Sequence, residues 1–197
     1  MKKLMIVAGL VFGILGLYAA GASAGFAAEK NKGSVPMKGK ILVAYFSHSG
    51  NTRRIAEQIH SLAGGDIAEI RAVQTYPKEY REATRQAKKE LEENLRPAIS
   101  TKVADIDSYS VVFVGYPIWW GTMPMPVFTF LEGHNLKGKT IIPFCTHEGS
   151  RTGRSVEDIR RVCPSSTVRE GLAVRGRDVQ NAQEDVAKWL RAMGLAK

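Results

Sequence analysis

The chain has 197 residues, 44% hydrophobic and 24% charged, a balance that suits one globular domain with a substantial core. Its net charge is +9, but the 28 lysines and arginines are scattered, with no basic tract interleaved with aromatics. A nucleic-acid partner is therefore not expected. Four dispersed histidines and two cysteines, Cys145 and Cys163, form no Cys/His grouping, which excludes a zinc cluster.

At the amino terminus, Lys2 and Lys3 precede an uncharged run from Leu4 to Ala28, and Ala22-Ser23-Ala24 has the small-residue pattern of a signal peptidase site. Residues 1–28 read as a signal peptide, cleaved after Ala24 or Ala28, or as an uncleaved membrane anchor. The many glycines and alanines in its second half favour cleavage. There is no twin arginine, so export would be as an unfolded chain, to the periplasm or to an inner-membrane anchorage. Removing this segment leaves a charge of 26 − 19 = +7. Residues 29–39 read as a linker and residues 40–197 as the folded domain.

Within the domain, Lys40 to Phe46 is an apolar, β-branched run expected as the first strand. A helix follows from about Thr52, with Ile55, Ile59, Leu62 and Ala63 on one face and Gly64-Gly65 at its end. Ile67 to Arg71 is a short second strand. Between Lys78 and Asn94, Tyr80, Ala83, Ala87, Leu91 and Leu95 recur at helical spacing as one thin buried stripe, with Pro97 beyond. Ser110 to Tyr116 is a continuous apolar run of the kind found in a central parallel strand. Val127 to Glu132 is a short helix, and Lys139 to Cys145 a fourth strand with Pro143 anomalous inside it. Ser155 is expected to cap a helix through Val162. Thr167 to Val174 reads as a single fifth strand, and Asp178 as the cap of a last helix carrying Val179, Ala182, Val186, Trp189, Leu190 and Met193. Cys145 and Cys163 both adjoin apolar segments, which favours free buried thiols over a disulfide. Five strands alternating with helices give an α/β fold, a five-stranded doubly wound parallel sheet in a three-layer sandwich.

Ligands of such sheets bind beyond the carboxyl ends of the strands. Three loops there are unusual in composition. Ser47-His48-Ser49-Gly50-Asn51-Thr52 joins a strand to a helix start and offers hydroxyls, an amide and free backbone N–H groups to an anion. It has neither the Walker lysine nor the dinucleotide glycine pattern. Pro117-Ile118-Trp119-Trp120-Gly121-Thr122 follows the third strand. On an extended segment adjacent side chains point opposite ways, so one tryptophan would join the core and the other flank a planar ring. Thr146, His147, Glu148, Gly149 and Ser150 follow the fourth strand. A phosphate cradle beside an aromatic wall suits a planar heterocycle carrying one phosphate.

These three loops resemble the flavin-contacting loops of the flavodoxin-like family, in its small bacterial, short-chain form, over about residues 39–195. The resemblance implies strand order 2-1-3-4-5 and non-covalent flavin mononucleotide (FMN), without metal. It implies that Ser47, Ser49, Gly50, Asn51 and Thr52 hold the phosphate, with His48 on the same loop. Pro117, Ile118, Trp119, Trp120 and Gly121, with Thr122 beyond, would border the ring, and Thr146, Glu148, Gly149 and Ser150 would line its other side. Flavodoxins proper are acidic and many sandwich the ring between two aromatics. This chain is basic and its third loop carries only His147 and Arg151, which leaves one ring face open. Neither His48 nor Glu148 is assigned a catalytic role. The resemblance implies electron transfer to a redox partner protein, or reduction of a small acceptor such as a quinone. Surplus positive charge should favour the anionic reduced flavin and a less negative potential. The alternatives are an NAD(P)H-dependent quinone-type reductase and a non-enzymatic binding module without flavin. A hydrolase using Ser47 or Ser49 has no nucleophile elbow to support it.

Overall fold

A computed structural model describes residues 39–196. The expected signal or anchor lies outside the described residues, as does the linker apart from Gly39. No helix among the described residues is long and apolar enough to cross a membrane.

The elements run β1 (Lys40–Tyr45), α1 (Asn51–Ala63), β2 (Asp66–Glu69), α2 (Tyr80–Glu92), β3 (Tyr109–Pro117), α3 (Met125–Glu132), β4 (Thr140–His147), α4 (Ser155–Val162), β5 (Thr167–Val168), β6 (Leu172–Arg175) and α5 (Gln183–Ala192). All pairings in the sheet are parallel, in the order β2-β1-β3-β4-β5, with β6 also paired to β4.

Both faces of the central strands are buried, so their side chains sort by parity. Leu42, Ala44, Val112 and Val114 pack on the side of Phe128, Leu131 and Ile159, from α3 and α4, where Ala87 of α2 also packs. Ile41, Val43, Val111 and Phe113 pack against Ile55 and Ile59 of α1 and Val186 and Leu190 of α5. This is why the strands read as unbroken apolar runs and the helices as amphipathic. Gly115 serves the same packing. A Cβ there would fall 2.1 Å from the ring of Phe144 on the neighbouring strand.

Several sequence expectations need correction. The fifth strand is two short pieces, β5 and β6, interrupted at residues 169–171. Pro143 explains the position of the break. Thr167 and Arg169 donate their amides to Lys139 and Ile141, so odd-numbered residues of β4 face the outer strand. At position 143 that side has no N–H to offer, and the break falls opposite it.

The expected stripe of α2 is also altered. Ala83 and Ala87 are buried, but Tyr80 is 66% exposed, and Leu95 lies beyond the helix end and is 42% exposed. Glu90 is buried instead, accepting hydrogen bonds from the Tyr76 hydroxyl and from Gln86 Nε2 at 2.8 Å.

Ser155 is the first residue of α4 rather than its cap. Its hydroxyl donates to the Thr152 carbonyl at 2.6 Å and accepts from Tyr116 at 3.1 Å. Asp178 lies inside a 3₁₀ turn, Gly176–Asn181, and does not cap α5. Cys145 and Cys163 are both buried and unbonded to each other.

Candidate functional site

The strand order reverses direction between β1 and β3, and the three loops of interest leave the carboxyl ends of β1, β3 and β4. They close around one cleft of about 340 Å³, lined by Ser49, Asn51, Tyr80, Pro117, Ile118, Trp119 and residues 146–150.

The first loop ends on Gly50, which takes φ 93° before α1 begins. The first four N–H groups of a helix have no acceptor within it. Ser47 Oγ accepts two of them, from Gly50 and Arg53, each at 3.2 Å. The amides of Asn51 and Thr52 remain without a hydrogen bond among the described residues. With the positive end of the helix dipole behind them, they offer a seat for an anion. Thr52 itself is buried, and its hydroxyl is shared with that of Thr146 at 2.8 Å.

The second loop is a tight two-residue turn. Trp119 and Thr122 exchange backbone hydrogen bonds at 2.9 and 3.1 Å, with Trp120 at φ 51° and Gly121 at φ 78°. Positive φ at both central residues is the type I′ pattern. The segment is therefore not extended, and the expectation of opposed tryptophans on a strand does not hold. Trp119 is 7% exposed yet lines the cleft. Its ring is wedged edge-on by Tyr76, His48 and Phe46, with centroids 5.2, 5.5 and 5.6 Å away. Trp120 turns away to α2, where its Nε1 donates to the Thr84 carbonyl at 2.8 Å and Lys88 Nζ lies 5.3 Å from its ring.

The third loop is tied to the second: the Ile118 amide donates to the Thr146 carbonyl at 2.8 Å, and the Arg154 amide to the Gly121 carbonyl at 2.9 Å. His147 Nδ1 accepts from the Gly149 amide at 2.9 Å. Burial, with Arg175 and Arg151 nearby, holds the imidazole below its ordinary pKa and so favours the neutral ring. Gly176 leaves room behind the cleft. A Cβ at that position would fall 2.2 Å from Glu148 Oε1 and 2.9 Å from Asn51 Nδ2.

Of the expected residues, Ser49, Asn51, Pro117, Ile118, Trp119, Thr146, Glu148, Gly149 and Ser150 meet in the cleft. Ser47 supports it from beneath. His48 faces the far side of the first loop, with Nε2 2.8 Å from the Pro77 carbonyl oxygen. Gly50, Thr52, Trp120, Gly121 and Thr122 do not line the cleft, and the Thr122 hydroxyl is buried against Asp158 at 2.6 Å. Tyr80, assigned to the helix core by its spacing, stands instead at the cleft mouth and supplies a second aromatic. A bulky aromatic in the first turn of a charged helix was the available signal. His147 joins the lining too. Among the described residues no group of three or more potential metal ligands occurs.

The sequence matches the flavodoxin family over residues 40–193. The chain belongs to that family. A candidate flavoprotein from Bacteroides eggerthii shares 37% identity with this flavodoxin-family chain, covering 79% of it and 98% of the bacteroidal chain, with a TM-score of 0.70. One from Bacteroides uniformis shares 29%, covering 78% and 98%, also with a TM-score of 0.70. A flavoprotein from Lactobacillus acidophilus, solved in complex with FMN, shares the fold at 23% identity and a TM-score of 0.60, covering 73% and 97%. No curated protein matches the chain.

The residues present fit a planar, singly phosphorylated cofactor. Unbonded amides and hydroxyls converge at the helix start, and an apolar wall stands beside them. Among the described residues Glu148 is the one acid in the cleft lining; it comes from the third loop and its carboxyl end lies on the same side of Gly176 as the Asn51 side chain.

Proposed function

We propose that this chain binds FMN in the cleft and exchanges electrons with a redox partner protein or a small acceptor such as a quinone. The observation that carries this reading is the convergence of Ser49 and the free Asn51 amide, at the start of α1, with the Trp119 wall in one cleft, at the strand-order reversal of a flavodoxin-family sheet. The complex of the Lactobacillus acidophilus relative with FMN supports it.

When bound, the flavin supplies one- and two-electron chemistry. The protein's part is to hold and tune. Asn51, Thr52 and the hydroxyls of Ser49 and Ser150 would hold the phosphate. Trp119, itself fixed by three rings, presents a rigid apolar surface, and Tyr80 approaches from the solvent side. Pro117 and Ile118, pinned to Thr146, exclude water from one edge. His147, with Nδ1 already accepting, carries its proton on Nε2 when neutral and can donate from there. Arg151 and Arg175, beside this loop, favour negative charge in the cleft.

Titrating the protein, freed of any flavin, with FMN tests the reading. Quenched flavin fluorescence and a shifted visible band are expected. An unchanged spectrum at saturating protein would overturn it. A second proposal concerns place. The lysine-led apolar run of residues 1–28 directs the domain out of the cytoplasm, and FMN is then acquired there. Recovery of the intact amino terminus in the cytoplasmic fraction would refute this.

A further inference from the structure

We propose that the α2 flank of the cleft is a docking surface for an acidic redox protein. Its purpose rests on the FMN reading, but its chemistry rests on the surface alone. Trp120 is 50% exposed and Tyr80 66% exposed, so two of the large aromatics lie open beside one cleft. Trp120 also holds a left-handed conformation, φ 51°, which is costly for a bulky residue. That cost does not serve burial, because half of the side chain stays in solvent. It holds the ring beside α2, where the indole N–H meets the Thr84 carbonyl and Lys88 lies over the ring.

Tyr80, Thr84 and Lys88 recur every four residues and share one face of α2, forming a ledge about 12 Å long that starts at the cleft mouth. Beside it, Arg81, Arg85 and Lys88 fall at i, i+4 and i+7, and all three are exposed. Among the described residues, neither Arg81 nor Arg85 reaches a carboxylate, and Lys88 meets Glu92 at a loose 3.6 Å. Of the acids on the first turn, Glu79 is engaged in capping, accepting the Glu82 amide at 2.9 Å, and Glu82 is exposed. The stripe carries three positive charges, with Glu92 at its end and the exposed Glu82 beside it, and two of its arginines are ready to take carboxylates.

Exposed tryptophan, tyrosine and arginine together are the residues that anchor protein interfaces. The ledge is too long for a small anion and runs away from the cleft beyond Tyr80, so a macromolecular surface is its fitting occupant. Its position at the cleft mouth would bring that surface within reach of the cofactor. An acidic face would be attracted and a basic one repelled.

The test uses the full chain with two soluble electron-transfer proteins of opposite charge, the acidic copper protein plastocyanin and basic cytochrome c. Binding is measured first without flavin, so that it does not depend on FMN, and a parallel FMN titration reports on the cofactor reading separately. Plastocyanin should bind, and its affinity should fall as ionic strength rises. The double variant Arg81→Glu/Arg85→Glu should lower that affinity about tenfold or more, and Trp120→Ala severalfold, with thermal midpoint and FMN affinity of the charge variant unchanged. With FMN loaded, the charge variant should slow reoxidation by plastocyanin and not by cytochrome c. An unchanged plastocyanin affinity in the charge variant overturns the proposal. So does loss of binding to phosphatidylglycerol vesicles in that variant when plastocyanin never bound, which would assign the stripe to a membrane surface.

Discussion

Thr52 and Thr146, 94 positions apart in sequence, share one buried hydrogen bond of 2.8 Å between the first turn of α1 and the end of β4. It joins two of the three cleft loops through groups that water does not reach. Thr52→Val keeps the volume but strands the Thr146 hydroxyl, and should cost about 1–3 kcal/mol. The double variant Thr52→Val/Thr146→Val removes both partners and should recover part of that loss. Urea midpoints of the four proteins give the coupling. A purely additive cycle would show that the bond contributes nothing.

The two tight turns beside the cleft should differ in their tolerance of a side chain. Gly121→Ala faces open space and meets only the backbone cost of φ 78°, about 1–2 kcal/mol. Gly153→Ala has φ 51° and would also place its Cβ 2.2 Å from the Gly121 carbonyl oxygen. It should destabilise more and separate the second loop from the third. Thermal midpoints rank the two, and equal midpoints would contradict the steric account.

Gly176→Ala should act on the ligand more than on the fold. The atoms its Cβ would strike are the ends of the Glu148 and Asn51 side chains, which can move. Displacing them rearranges the cleft from behind, so FMN affinity should fall about tenfold while the unfolding free energy changes by less than about 1 kcal/mol. Fluorescence titration beside urea denaturation separates the two effects.

Glu132 predicts part of the acid sensitivity. Paired hydrogen bonds from Arg96 at 2.6 and 2.8 Å hold its carboxyl below the usual glutamate range. The unfolded chain then binds a proton more readily than the folded one. The stability from this pair is complete above about pH 4.5 and is lost as pH falls through the lowered folded value. Glu132→Gln should therefore be less stable than the parent at neutral pH. That difference should shrink towards zero between about pH 5 and 3. A pH-independent difference would show that packing, not charge, is responsible.

The architecture was legible because burial on both sheet faces writes long apolar runs into β1, β3 and β4, while α1 and α5 write amphipathic periods. The three cleft loops were legible because each follows such a run. What escaped has local causes. Tyr80 keeps helical spacing with Ala83 and Ala87, and nothing in a one-dimensional pattern tells a stripe residue from one at the helix's open first turn. Trp120 adopts a conformation that its residue type disfavours, so an extended reading was the natural one. The interruption in the fifth strand is caused by Pro143, on a different strand, and becomes visible only once the two lie side by side. Ser155 and Asp178 have the side chains of helix caps, but the Thr152 carbonyl and a 3₁₀ turn claim their positions.

Pro143 also bears on how the folded molecule behaves among its own copies. A parallel sheet ends in strands with unpaired backbone groups, which invite another chain to add on. Here the outer rim beside β4 consists of a two-residue and a four-residue strand with a proline opposite the gap between them, and β2 at the other rim has only four residues. Among the described residues, neither rim carries a continuous strand longer than four residues. The break that looks like a defect in the fifth strand therefore shortens the edge to which another chain could add.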